Sequence, residues 1–445
     1  MASLAHEYAA HVQIMVSRYE EAMKAADLDR VVVFAGVERM LPFDDSAYPF
    51  RATAHFRAWV PMNTPGHAIV FLRGERPRLF CHQPGDFWHA AAPAPPPMVQ
   101  MAFDVIVADD VNDIVRQLGD GGRCAWLGEA DHVPPACAHA SLNPPALVRR
   151  LNFARSVKTD YELTCLRRAN ALGAQAHQAA AAAFSHGASE YQIHQHYLQA
   201  IDATDADLPY PSIVCLNEHA AILHYQKLDR RTPAEHRSFL IDAGAMADGY
   251  ASDITRTYTT EREVNGPFAT LLSTMDRLQQ AVCDQVKAGV DYVELQLQCH
   301  EMLARVLDEA ELINSISLEG AVEAGITRAF FPHGLGHYLG LQVHDVGGFQ
   351  SKAEGGRIDP PQEHPFLRLT RQLREREVVT IEPGLYFIPT VLEHLRAEDA
   401  GKHVNWGLVE QLTPFGGIRI EDDVVALRGG HENLTRTAFA TLAGH

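Results

Sequence analysis

Four short segments hold acidic and imidazole side chains in settings that ordinary packing does not explain. The first, Ile241-Asp242-Ala243-Gly244-Ala245-Met246-Ala247-Asp248-Gly249-Tyr250-Ala251-Ser252-Asp253, sets two β-type runs around a Gly- and Asp-bearing turn. Opposed residues of an antiparallel pair share one index sum, and Asp242 with Asp253 has the same sum as Ala247 with Asp248. A tight turn centred there predicts both carboxylates opposite each other on one face. Like charges so placed are destabilising, and a cation between them removes the objection. The bland alternative is one Asp capping the turn and the other in solvent.

The second segment runs Phe331-Pro332-His333-Gly334-Leu335-Gly336-His337-Tyr338-Leu339-Gly340-Leu341-Gln342-Val343-His344-Asp345. Its histidines at 333 and 337 have the spacing of the helical zinc motif HExxH, but Gly-Leu-Gly between them offers no Glu base and disfavours a helix. A glycine-permitted loop presenting imidazoles is expected. In Val378-Val379-Thr380-Ile381-Glu382-Pro383-Gly384 a carboxylate sits in an apolar run, where it needs a cation or a proton. In Gly417-Ile418-Arg419-Ile420-Glu421-Asp422, strand alternation turns Arg419 and Glu421 to one face, which alone could be a plain ion pair. Asp242, Asp253, Glu382 and Glu421 together carry about four negative charges, enough for two divalent ions. Oxygen-rich ligation with little nitrogen and no sulfur favours Mn2+ or a similar hard ion over tetrahedral zinc. Two such ions sharing a water lower its pKa enough to supply hydroxide near neutral pH.

The elements that must position these groups differ between the two parts of the chain. Tyr8, Val12, Met15, Tyr19 and Met23 recur with helical period, and Val31–Gly36, Ala68–Leu72, Leu79–His82, Val105–Ala108 and Cys124–Leu127 read as strands. This is an α/β pattern, interrupted by the proline-rich loop 92–97. A boundary is expected between Asn143 and Lys158, giving an N-terminal α/β domain over 1–157 and a second domain over 158–445. Thr159-Asp160-Tyr161-Glu162 has capping-box form and opens a long helix through the alanine run 179–183. Helices are predicted near Phe268–Lys287 and Val293–Ala310. Strands are predicted near Ser212–Cys215, Ser238–Ala243, Tyr250–Tyr258, Val378–Phe387, Val404–Val409 and Ile418–Ala426, so the second domain reads as α+β with a mostly antiparallel sheet.

Composition limits the function classes. The 445 residues are 47% hydrophobic and 21% charged, ordinary for a globular chain. With 38 Lys+Arg against 56 Asp+Glu, the net charge of -18 repels nucleic acid and anionic lipid. No apolar run approaches a membrane span, and the first residues lack the layout of a secretion signal. Seven scattered cysteines without CxxC pairs read as reduced thiols, so a cytoplasmic location is expected.

The segments IDAGAMADGYASDITRTY, FFPHGLGHYLGLQVHDVGGF, VVTIEPGLYF and GIRIEDD, in this order, resemble the pita-bread metallopeptidases. The resemblance is specifically to bacterial Xaa-Pro dipeptidases (prolidases) and the similar organophosphorus acid anhydrolases. LPFDDSAYPFRATAHFRAWVP resembles the N-terminal segment of that subfamily, so the likeness spans nearly the whole chain. It implies a C-terminal domain with a curved pita-bread sheet and two divalent cations per subunit, Mn2+ first, with Co2+ or Zn2+ as alternatives. Asp242, Asp253, His337, Glu382 and Glu421 match the metal ligands, with Asp253 and Glu421 bridging. His224 matches a histidine beside the substrate, and His333 and His344 match two that contact substrate or intermediate. Arg419 matches an arginine that orients the last ligand, and Glu382 is the expected proton relay. Arg368 matches the arginine that grips a dipeptide's C-terminal carboxylate, and Tyr210, Tyr292 and Val343 match pocket-lining residues. Asp44 or Asp45 matches a residue that reaches the partner's site, which implies a homodimer. The stretch Leu373-Arg374-Glu375-Arg376-Glu377 departs from the family, which commonly has a Pro-Gly turn there.

The activity implied is hydrolysis of Xaa-Pro dipeptides, with organophosphate esters as a possible side activity. Two rival readings are release of the N-terminal residue from longer Xaa-Pro peptides, as in aminopeptidase P, and a catalytically silent pita-bread binding module.

Overall fold

The computed structural model describes residues 2–83, 85, 87–88, 90–110, 112–118 and 122–444. The chain forms two compact units, one of Met1–Cys165, Asp248–Tyr250 and Gln350–Gly356, the other of Leu166–Ala247, Ala251–Phe349 and Arg357–His445.

In the smaller unit the helix Ala2–Ala25 buries Tyr8, Val12, Met15, Tyr19 and Met23, the apolar stripe set by their spacing. A six-stranded sheet has the order Asp104–Ala108, Arg78–His82, Ala68–Leu72, Arg30–Phe34, Cys124–Leu127, Ser141–Leu142. Arg30–Phe34 lies antiparallel to Ala68–Leu72 and parallel to Cys124–Leu127, so the sheet is mixed. Val32, Phe34, Val70, Phe80 and Trp126 pack on one of its faces. The proline-rich stretch is irregular as far as Pro96. Pro97 then opens the helix Pro97–Ala102, at a position whose N–H would be unpaired anyway. The capping box forms: Thr159 N–H donates to Glu162 Oε2 at 2.8 Å, and Glu162 N–H to Thr159 Oγ1 at 3.3 Å.

The larger unit holds three antiparallel sheets that bear on the acidic segments. Ser238–Asp242 is central between Thr255–Thr259 and Ile213–Leu216. Asp422–Leu427 is central between Val378–Ile381 and Gly430–Asn433, and Gly384–Tyr386 pairs with Gly417–Arg419. Helices Pro267–Cys283 and Tyr292–Glu309 contribute Phe268, Leu271, Met275, Leu295 and Leu303 to the main apolar core against Val379, Ile381 and Val424.

Three expected strands break where the chemistry lies. Tyr250–Tyr258 is interrupted at Ser252–Ile254, Val378–Phe387 at Glu382-Pro383, and Ile418–Ala426 at Ile420-Glu421. The segment expected as the strand Val404–Val409 is instead the start of the helix Trp406–Leu412, because the Asn405 side chain accepts from Leu408 N–H at 3.3 Å and caps it. In the stretch Leu373-Arg374-Glu375-Arg376-Glu377, Glu377 N–H donates to Arg374 O at 3.2 Å and Arg376 adopts φ 71, the left-handed residue of a reverse turn. The buried Glu377 carboxylate fastens this turn, accepting from Arg374 N–H at 2.8 Å and Tyr338 Oη at 2.6 Å.

Candidate metal centre

The hairpin that delivers the two aspartates has a register different from the one expected. Asp242 pairs with Thr255 and Ile241 with Arg256. The same register continues inward, with Ala243 N–H on Ile254 O at 3.0 Å and Ser252 N–H on Ala245 O at 2.9 Å, so Asp253 falls opposite Gly244 rather than Asp242. The reason is the turn. Asp248 and Gly249 both have positive φ, 51 and 90, as a two-residue primed hairpin turn requires, and this moves its centre by one residue. Because the resulting offset between the aspartates is two residues, both remain on one face. A Cβ at Gly244 would stand 2.0 Å from Ser252 O and 2.9 Å from Tyr210 Cε1. Its absence admits the Tyr210 ring, whose hydroxyl donates to Asp253 Oδ1 at 2.5 Å.

The glycine-rich segment is a loop, as expected, and it is bolted to the strand Val378–Ile381. His337 N–H donates to Thr380 Oγ1 at 3.0 Å, Thr380 N–H to His337 O at 3.0 Å, and Glu382 N–H to Leu335 O at 2.9 Å. His337 Nδ1 lies 3.0 Å from Tyr338 O, which leaves Nε2 facing Asp253 Oδ2 at 3.3 Å and Glu382 Oε1 at 3.6 Å. Glu421 arrives through a lone β-bridge to Thr255, whose hydroxyl donates to Glu421 Oε2 at 2.6 Å. Ligand atoms of Asp253, His337 and Glu421 all lie within 4.8 Å of one another in buried surroundings.

The electrostatics are those of crowded acids short of positive charge. Burial pushes the Glu421 carboxyl well above its ordinary range, and the charges of Asp253, Glu382 and Asp242 push it further. Burial also raises Asp242, opposed by Arg419 and reinforced by Asp253. Glu382 is pushed up to about 7 by burial, against the pull of His337. Burial would lower His337, yet its hydrogen bond to Asp253 and the charges of Glu382 and Asp253 raise it to about 9. Asp253 is held below its usual range chiefly by that same partner, despite its burial. Asp242 Oδ1 is buried without a hydrogen-bond partner. The donors gathered at Asp253, His337 and Glu421, together with the orphaned Asp242 oxygen, fit divalent cations held by oxygen with a single imidazole.

Around this centre Arg419 donates from Nη2 to Asp242 Oδ2 at 2.7 Å and from Nη1 to Tyr386 Oη at 2.9 Å. Both ring nitrogens of His333 are engaged, Nδ1 with Gly334 O at 2.9 Å and Nε2 with Tyr386 Oη at 2.8 Å. A substrate contact by His333 therefore requires exchange of one of them. Burial first, then Arg419, pushes His333 down to about 3. The His344 ring crosses the His337 ring at 4.3 Å between centroids and is lowered to about 4 by the loss of water around it there, then by His337 and Arg368. Arg368 is exposed near His344, Val343 is half-buried beside it, and the charge of His224 reaches both His333 and His344. Tyr292 is fully buried and its hydroxyl donates to Thr380 O at 2.7 Å, so it supports the strand leading to Glu382. Asp44 and Asp45 are exposed in the smaller unit, on a loop whose Met40 bridges Ala47.

Sequence reasoning passed over Tyr386, Thr255, Thr380 and Gln296, whose Oε1 accepts Leu335 N–H at 2.6 Å. Tyr386 and Thr380 lay in a quoted motif, and a Gln on the apolar face of the helix Tyr292–Glu309 was the available signal for Gln296.

Comparison with known proteins agrees along the whole chain. Residues 164–427 match metallopeptidase family M24, and residues 6–153 match the Xaa-Pro dipeptidase N-terminal domain. The chain is 44% identical over 439 residues to a Xaa-Pro dipeptidase of Stenotrophomonas maltophilia, covering 98% of each. It is 43% identical over 438 residues to one of Shewanella baltica, covering 98% of this chain and 99% of that one. Among solved structures, the aminopeptidase PepP of Pseudomonas aeruginosa superposes with a TM-score of 0.74 at 21% identity, over 99% of both chains. Aminopeptidase P of Escherichia coli does so with 0.73 at 22% identity, over 99% of this chain and 98% of that one.

Proposed function

The chain belongs to metallopeptidase family M24, in the pita-bread fold, and from that premise we propose that it is a metal-dependent Xaa-Pro dipeptidase. The observation that carries the reading is the convergence of buried Asp253, His337 and Glu421 donors within 4.8 Å, in a chain 44% identical to a protein of that activity. Asp242, Asp253, His337, Glu382 and Glu421 would hold two divalent cations, Mn2+ being favoured by the oxygen-rich donors. When bound, the cations polarise the scissile carbonyl and acidify the attacking water.

The protein's own groups do the rest. Glu382 would take a proton from the water and return it to the departing proline nitrogen. His344, lowered to about 4, is neutral at working pH and donates a hydrogen bond to the developing oxyanion, with His333 behind it and His224 beside the substrate. Arg419 fixes Asp242 and Tyr386 together. The substrate's proline nitrogen bears no N–H, so its pocket needs no acceptor. Arg368, exposed near His344, takes the free carboxylate of the dipeptide and excludes longer chains. Tyr210 and Val343 complete the pocket.

Asp45 lies on an exposed loop with Phe43 and Met40 uncovered, which supports a homodimer in which the domain 1–157 carries this loop to the partner's site and 158–445 holds the catalytic residues. The seven cysteines are buried and none is in a disulfide, in keeping with a cytoplasmic setting. Among the described residues no helix is long and apolar enough to cross a membrane.

The test is to strip the protein with a chelator, reload it with Mn2+, Co2+ or Zn2+, and assay Gly-Pro, Ala-Pro, Leu-Pro and Ala-Pro-Ala. Dipeptides should be cleaved and the tripeptide poorly. Faster tripeptide turnover would identify an aminopeptidase P-type enzyme, and absence of both turnover and metal uptake a silent module.

A further inference from the structure

Away from the metal-ligand segments, one buried carboxylate gathers the chain that follows the strand Ile213–Leu216. Glu190, 1% exposed, opens the helix Glu190–Ala200, where Ser189 and Gln192 form the capping box. Its Oε1 accepts Leu216 N–H at 2.9 Å and faces His219 Nδ1 at 2.7 Å. Its Oε2 accepts Tyr225 Oη at 2.7 Å and Asp229 N–H at 2.8 Å. The partners span residues 216–229, from the end of the strand Ile213–Leu216, through the short turn Asn217–Ala221, to Asp229. The rings of His219 and Tyr225 stack at 4.4 Å within that span, and Asp229 O accepts Tyr191 N–H at 3.1 Å. His224, exposed, lies between two of these anchors and next to Tyr225.

A buried carboxylate is an expensive way to hold a loop unless its lone pairs are filled, and here four donors fill them. None of these partners belongs to the metal centre. What the arrangement fixes is the course of the chain on both sides of His224, the exposed residue that directly precedes the anchored Tyr225 and that the dipeptidase reading puts beside the substrate.

We propose that Glu190 is a positioning residue for the hydrolytic reaction: it pins residues 216–229 so that His224 stands at the substrate. This rests on the dipeptidase reading. Glu190→Gln keeps the shape but presents an N–H2 to Tyr225 Oη or Asp229 N–H, which both already donate, so one half of the clamp must open. Tyr225→Phe opens it more gently, keeping the ring stack.

The experiment is a double-mutant cycle on Gly-Pro hydrolysis with Glu190→Gln, His224→Ala and the pair, alongside hydrogen exchange of the metal-stripped proteins. Glu190→Gln should lower kcat/KM by about tenfold in the parent and by less than about twofold once His224 is Ala, the non-additivity of residues acting through one another. Amides of 217–229 should exchange faster in Glu190→Gln and in Tyr225→Phe, while those of the strand Val378–Ile381 stay protected. Additive losses, or unchanged exchange in 217–229, would overturn the proposal. So would a His224→Ala variant as active as the parent, which would leave the dipeptidase reading intact. A parent that ignores Gly-Pro would defeat that reading instead, and the exchange arm would still decide whether Glu190 clamps the segment.

Discussion

Arg419 Nη2 lies 2.7 Å from Asp242 Oδ2, with the guanidinium side chain 5% exposed and the carboxylate 15%. The same guanidinium reaches Tyr386 Oη with Nη1 at 2.9 Å, so a single cation ties Asp242, a proposed metal ligand, to the hydroxyl that engages His333. Removing one member of such a pair leaves the other charge uncompensated. Arg419→Gln should destabilise the metal-stripped protein by about 3 kcal/mol or more and should abolish most Gly-Pro turnover. Arg419→Lys should not restore activity, because an ammonium cannot span both partners as the planar fork does. Denaturant unfolding and steady-state kinetics on the two variants check this, and full activity in the lysine variant would contradict it.

Metal removal should expose a pH dependence with a definite sign. His337 is raised from 6.5 to about 9: burial opposes the shift, and the Asp253 bond with the Glu382 and Asp253 charges outweighs it. A group raised on folding stabilises fully below its unfolded value and loses that contribution as pH climbs through the folded one. Glu382, raised by burial from 4.5 to about 7, loses its own contribution over that lower window. Below about pH 6.5 the buried neutral histidines, His333 at about 3 and His344 at about 4, act in the opposite sense, so the chelated protein should melt at steadily lower temperature between about pH 6.5 and about pH 9.5. Divalent cations need His337 unprotonated, so their stabilising effect should grow over the same range. Thermal melts with chelator and with Mn2+ test both halves. A flat profile for the chelated protein would dismiss the idea.

Much of this was legible beforehand for identifiable reasons. Tyr8, Val12, Met15, Tyr19 and Met23 are all buried because helical period is a property of one stretch of chain. The Thr159–Glu162 box forms because it too is local. The hairpin register was not legible from the index sum alone, since the positive φ of Asp248 sets the turn and many residue pairs could have centred it. Val404–Val409 misled because six apolar-rich residues satisfy either period, and Asn405 decided for a helix. Tyr386 and Gln296 stayed hidden because their meaning lies in partners far along the chain, Arg419 and Leu335. Periodicity says that a side chain is inside and not what it meets there.

Arg368 should set the length of peptide accepted. It is exposed near His344, so its replacement should leave folding nearly unchanged. Arg368→Met should raise KM for Gly-Pro by about tenfold or more, since a hydrogen bond to a charged group is worth about 1.5–3 kcal/mol. The ratio of Ala-Pro-Ala to Ala-Pro turnover should rise at the same time, because the tripeptide has no carboxylate at that point to lose. If both substrates weaken in parallel, Arg368 does not read the dipeptide terminus.

Gly244 offers the sharpest test of how the hairpin builds the centre. It stands opposite Asp253, and an added methyl would come within 2.0 Å of Ser252 O and 2.9 Å of Pro209 Cγ and Tyr210 Cε1. The first contact is backbone and cannot swing away, so the strands must part or Tyr210 must leave, taking with it the 2.5 Å hydrogen bond to Asp253 Oδ1. Overpacking of this kind typically costs about 1–3 kcal/mol. Gly244→Ala should lower stability by that order and weaken metal binding, read by calorimetric titration of the stripped protein. Tyr210→Phe removes the hydroxyl without crowding the strands, so it should weaken metal binding while leaving stability closer to the parent. If Gly244→Ala binds metal as the parent does, the spacing of the two strands is not what holds Asp253 in place.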